Sequence, residues 1–105
     1  MNTAINTKQK IFELLRQHQS QLNAFGVKRI GLFGSFVRGQ QKNGSDIDLL
    51  VEFSPTQKTF DNYMELSFSL EDLLQHRIDL VTPESLSPHI GSHIIQEVEY
   101  ATFNG

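Results

Sequence analysis

No cysteine occurs among the 105 residues. Disulfides, thiolate nucleophiles and Cys-ligated zinc are therefore excluded, and a reducing compartment suits the chain. Basic charge is not in excess either: 9 Lys and Arg stand against 12 Asp and Glu, a formal net charge of -3. Nucleic-acid or anionic-membrane binding usually shows as a basic excess, so neither is expected. No apolar run approaches the ~20 residues of a membrane span. The polar stretch 1–9 lacks the apolar core of a signal peptide, and a cytoplasmic location is expected. Repeats, linkers and low-complexity segments are also missing. Residues 1–105 are expected to form a single domain. At this size folding buries about 65% of the unfolded surface, enough to fold alone with a modest margin.

Asn6 or Thr7 can cap a first helix, along which Ile11, Leu14, Leu15, His18 and Leu22 recur at helical spacing until Gly26 ends it. Residues 27–33 read as a buried strand, with Ile30 and Leu32 on one face. A Gly34-Ser35 turn follows, and 35–38 is long enough for one helical turn. The polar loop 39–45 ends in Asn43-Gly44, a strong turn signal. Residues 46–53 alternate as a strand: Asp46, Asp48 and Leu50 face one way, Ile47, Leu49 and Val51 the other. Ser54-Pro55-Thr56 breaks it. The pattern then predicts a helix over 60–76 and a third strand over 77–81. Ser87 and Pro88 serve as N-cap and first residue of a final helix running to about Glu99. The order α-β-(turn)-β-α-β-α implies an α/β (α+β) fold: a small mixed sheet with helices packed mainly on one face.

The chemistry sits in the middle of this order. Period-2 spacing places Asp46 and Asp48 side by side on one strand face. If the third strand pairs with this one, Asp79 can lie next to them. Three ionised acids that close repel unless cations neutralise them. Hard oxygen ligands favour Mg²⁺, which keeps positions for water and substrate phosphate. Two such ions about 3.5–4 Å apart stabilise the attacking and leaving oxygens of an in-line displacement. The Gly34-Ser35 turn supplies the complementary part. Gly34 lets backbone N–H groups approach phosphate, Ser35 adds a hydroxyl donor, and the short helical turn points its positive end the same way. Arg38 and Lys42 are cations within reach, and Arg38 either holds phosphate or clamps the loop. The segment is not a P-loop, because Gln40-Gln41 stands where Lys-Ser/Thr is required.

Taken separately, an Asp-x-Asp or a Gly-Ser is a weak signal; their order is what discriminates. Gly34-Ser35-Phe36-Val37-Arg38-Gly39 followed by Ser45-Asp46-Ile47-Asp48-Leu49-Leu50-Val51 resembles the signature of the minimal nucleotidyltransferase (MNT) family. That family belongs to the DNA polymerase beta-like nucleotidyltransferase superfamily. The resemblance extends over most of the chain, including the helix before the first strand, Asp79 in the later strand and the closing helix. It implies that Gly34 and Ser35 bind the triphosphate of ATP, with Arg38 as a further candidate contact. It also implies that Asp46 and Asp48 hold two Mg²⁺ ions, and that Asp79 holds the catalytic ion and helps activate an acceptor hydroxyl. The implied reaction is attack on the α-phosphate with loss of pyrophosphate. The implied partner is a HEPN-type toxin, modified with AMP on a tyrosine. A non-catalytic antitoxin that masks its partner and an enzyme acting on a small-molecule hydroxyl are the alternatives.

Other candidates have plainer readings. His89 and His93 have i,i+4 metal-ligand spacing but no third ligand nearby, which favours surface or half-buried helix positions. His18 is read as a packed histidine, Asn43-Gly44-Ser45 as a turn rather than a glycosylation site, and Tyr63 and Tyr100 as packing residues. On the 60–76 helix, Tyr63, Leu66, Leu70, Leu73 and Leu74 form one apolar stripe. Phe60, Met64 and Phe68 form a second beside it, for a combined arc of about 220°. The extra stripe is either wrapped by this small domain or offered to a HEPN partner or to a second copy in a homodimer.

Overall fold

The computed structural model describes residues 7–42 and 44–101. Asn6, Asn43 and the rest of the stretch 1–6 lie outside the described residues. Thr7 is the observed N-cap of α1 (Lys8–Gln17), its hydroxyl accepting the Lys10 N–H at 3.3 Å. The elements that follow are α2 (Gln19–Ala24), β1 (Val27–Phe33), α3 (Ser35–Arg38), β2 (Ile47–Phe53), α4 (Phe60–Leu74), β3 (Ile78–Val81), α5 (Pro88–Glu97) and β4 (Glu99–Tyr100). The sheet order is β3-β2-β1-β4, with β2 and β3 parallel and the other pairs antiparallel.

Alternation along β2 decides what each face carries. Ile47, Leu49 and Val51 are fully buried and join Ile30 and Leu32 of β1 in the main core. Ile11 and Leu15 of α1, Leu22 of α2, and Leu66, Leu70 and Leu74 of α4 close that core from the same side. Truncating one such buried leucine to alanine typically costs about 2–5 kcal/mol. Leu50 turns to the opposite face, where a smaller cluster joins it to Phe33 and to Ile94 of α5. Helices thus cover mainly one face, and α5 covers part of the other.

Besides β3, which opens at Ile78 rather than Arg77, four boundaries differ from the sequence-based expectation. The first helix is interrupted at His18, whose φ of −113° leaves the helical region while its Nδ1 lies 3.0 Å from the Leu14 carbonyl oxygen. Asp46 precedes β2 instead of opening it. α4 stops at Leu74 because Gln75 enters the left-handed region at φ 52°, where its side-chain amide donates to the Asp72 carbonyl at 2.6 Å. The final helix ends at Glu97, and Glu99–Tyr100 leaves it to pair with Leu32 and Gly31 as β4. The Ser87 cap and Pro88 start stand as expected, with the Ser87 hydroxyl accepting the Ile90 N–H.

Candidate active site

Parallel pairing of β2 with β3 sets Asp48 directly opposite Asp79. Their strand neighbours Leu49 and Leu80 are in the main core, so both aspartates belong to the opposite face, the one carrying α5. Asp48 is half-buried and Asp79, on the edge strand, is exposed. Asp46 lies just before the strand, 3.5 Å from the Arg77 guanidinium. Among the described residues no three His, Cys, Asp or Glu side chains form a ready-made metal cage.

The Gly34-Ser35 turn meets this pair from β1. Phe33 is the antiparallel partner of Asp48, which places the next residue, Gly34, against the Asp48 carboxylate. A Cβ on Gly34 would lie 2.1 Å from Asp48 Oδ2, and the backbone there has φ 80°. Only glycine meets both conditions, the close approach and the positive φ. Ser35 then opens α3, and Gly39 closes it in the left-handed conformation. The Gln40 N–H returns to the Ser35 carbonyl at 2.9 Å, and the Lys42 N–H donates to the Ser45 hydroxyl at 2.9 Å. These bonds fold the loop back toward β2.

Arg38 behaves here as a clamp. It donates through Nε to Gln40 Oε1 at 3.0 Å and through a second nitrogen to Glu97 of α5. Glu97 also accepts the Gly34 N–H at 2.6 Å. Sequence reasoning missed Glu97. The available signal was an acid in the last turn of a helix, where the macrodipole disfavours it.

Electrostatics follow this geometry. Burial, then the charges of Asp79, Asp46 and Glu97, push the Asp48 carboxyl up to about 6, with Arg38 opposing. Burial also pushes Glu97 up, but the Gly34 N–H bond and the Arg38 bond and charge outweigh it and hold the group below its usual range. A pair of carboxylates in register, one of them reluctant to ionise, has donor chemistry that fits a hard divalent cation.

The plainer candidates fall where expected. His89 and His93 stack edge-to-face with ring centres 5.1 Å apart, both exposed. The Tyr63 hydroxyl donates to the Leu80 carbonyl, and the Tyr100 ring lies 3.9 Å from the Arg29 guanidinium carbon. On α4, Phe60 and Phe68 are 76% and 61% exposed while Met64 is half-buried. No helix among the described residues is long and apolar enough to cross a membrane.

Comparison with known proteins agrees with the geometry. The family described as "Nucleotidyltransferase domain" matches residues 9–104. The protein adenylyltransferase MntA of Thermococcus cleftensis is 41% identical over 98 residues, spanning 92% of this chain and 98% of its own. A solved structure attributed to a minimal nucleotidyltransferase superposes with a TM-score of 0.68 at 32% identity, over 84% of this chain and 93% of that one. A toxin–antitoxin crystal structure with AMP-PNP gives 0.65 at 29% identity, over 91% and 73%. The chain belongs to the nucleotidyltransferase domain family and, within it, to the minimal nucleotidyltransferases that include MntA-type antitoxins.

Proposed function

We propose that this enzyme transfers AMP from ATP to a hydroxyl of a partner toxin of the HEPN type, a tyrosine by family resemblance, and thereby acts as its antitoxin. The observation that carries the reading is the register pair Asp48–Asp79 set against the Gly34 turn. Carboxylates suited to metal and a glycine turn suited to phosphate adjoin at one point of the sheet, which supports the reading. Asp46, Asp48 and Asp79 would hold Mg²⁺, two ions by family resemblance. When bound, the metal supplies charge neutralisation for the triphosphate and the leaving pyrophosphate. The acceptor oxygen forms the new bond to the α-phosphorus as the bond to pyrophosphate breaks, and Asp79 takes the hydroxyl proton. Its exposed position on an edge strand suits an acceptor presented by a large partner.

The protein contributes chiefly position and charge, which is most of what phosphoryl-group chemistry demands. The Phe60 and Phe68 side chains, exposed on α4, provide an apolar contact surface for the partner. The decisive experiment is mass spectrometry of a genomically adjacent HEPN protein after incubation with this protein, ATP and Mg²⁺. AMP-sized additions are expected with wild type and none with Asp48→Asn. A partner left unmodified yet still neutralised by Asp48→Asn would replace transfer with masking.

A further inference from the structure

Glu97 lies outside the glycine-serine and aspartate signature, 63 positions from Gly34, yet it touches both parts of the turn. One carboxylate oxygen accepts the Gly34 N–H at 2.6 Å and the other accepts from Arg38. The placement runs against two local preferences. An acid at a helix C-terminus opposes the macrodipole, and this one adds a negative charge near Asp48. What offsets both is the pair of charge-assisted hydrogen bonds, which are about twice as strong as neutral ones. The Glu97 side chain is also only 24% exposed, so its bond to the Gly34 amide is partly shielded from solvent.

We propose that Glu97 is a positioning residue of the nucleotide site: by holding the Gly34 amide and the Arg38 guanidinium together, it fixes the turn that receives the triphosphate. The inference rests on the reading of Gly34-Ser35 as that site. Arg38 spends one N–H on Gln40 and one on Glu97, which orients the planar fork and leaves its remaining donors for phosphate oxygens. Without Glu97 the guanidinium has to be ordered when ATP binds, and that ordering lowers affinity. α5 is thereby made part of the site through its last residue, although the helix contributes nothing to the sequence signature.

The test is calorimetric titration of ATP with Mg²⁺ into the full chain as wild type, Glu97→Gln, Arg38→Ala and the double variant, with melting temperatures alongside. Gln keeps the size of Glu and an acceptor for Gly34, but loses the charge that holds Arg38. Glu97→Gln is expected to bind ATP about tenfold more weakly, with its melting temperature changed by no more than about 4 °C. The double variant is expected to bind no more weakly than the worse single variant, since both changes break one unit. Unchanged or tighter ATP binding by Glu97→Gln overturns the proposal; tighter binding would mark Glu97 as a carboxylate that competes with phosphate. Additive losses, or a Glu97→Gln protein that melts far below wild type, also overturn it and assign Glu97 to the fold. Failure of the wild type to bind ATP sinks the nucleotide reading itself, and this inference with it.

Discussion

Replacing Asp48 with Asn tests whether the site is built around an unfavourable charge. The substitution keeps the side chain's shape, so the close contact with Gly34 is undisturbed, and it removes one charge from a cluster of three other acids. The Asp48 carboxyl stands at about 6 in the folded protein against 3.8 as its ordinary value. Well below about pH 4 the group is protonated in both states and contributes nothing. As pH rises from about 4 to about 6 the unfolded chain ionises first, so the folded state loses stability, and above that range the loss is constant. The full difference corresponds to about 3 kcal/mol. The group is half open to solvent, and screening reduces this to about 1 kcal/mol. Asp48→Asn is therefore expected to raise the metal-free melting temperature by about 4–8 °C at pH 8 and by little at pH 4. Thermal melts across that range, followed by circular dichroism in chelator, provide the measurement. Adding Mg²⁺ should stabilise the wild type more than the variant. A variant less stable than wild type at pH 8, or an equal gain at both pH values, refutes the electrostatic reasoning and makes Asp48 a structural residue.

Gly34→Ala combines an unfavourable positive φ with a Cβ 2.1 Å from Asp48. The backbone alone costs about 1–3 kcal/mol, so chemical denaturation should show at least that loss, whereas wild-type stability would contradict the described turn. Ser35→Ala removes the hydroxyl proposed to donate to phosphate and should weaken ATP binding about ten- to hundredfold at unchanged melting temperature; unchanged affinity would separate the turn from the nucleotide. Phe60→Ser with Phe68→Ser changes two exposed side chains and should leave stability within about 0.5 kcal/mol per site. The same pair should weaken partner binding at least tenfold in a pull-down titration, and an unaltered titration would place the partner elsewhere.

Sequence pattern located the central elements because their signals are local. Strand β2 turns successive side chains to opposite faces, Ser87-Pro88 announces α5, and the order and spacing of the turn and the acids are enough for the family resemblance to be recognised within one chain. What escaped notice depends on contacts distant in sequence or on single residues. Two residues of β4 are too short to show a period, and their partners Gly31 and Leu32 lie about seventy positions earlier. The break at His18 and the left-handed turn at Gln75 each rest on one side chain bonding to a nearby carbonyl. The apolar pattern on either side gives no warning of them. Arg38 was legible as a cation near the loop, but its partner Glu97 was not, because the two lie 59 positions apart in sequence.

The placement of strain and charge argues for function over folding. The main core is apolar throughout, and no polar or charged side chain is fully buried among the described residues. Apart from the left-handed Gln75 at the end of α4, three unfavourable features gather where β1 ends and β2 begins: a positive φ at Gly34, a half-buried Asp48 facing other acids, and Glu97 at the C-terminal end of its helix. A chain selected only to bind and mask a partner has no use for such a cluster, since apolar replacements there would stabilise the fold. If cations and a triphosphate bind there as proposed, the cluster becomes favourable, because the repelling charges then acquire partners of opposite sign. On the proposed reading, the stability lost in the free protein is the counterpart of affinity for the reactants, and it is located on the inner strands β1 and β2 beside Asp79 of the edge strand β3.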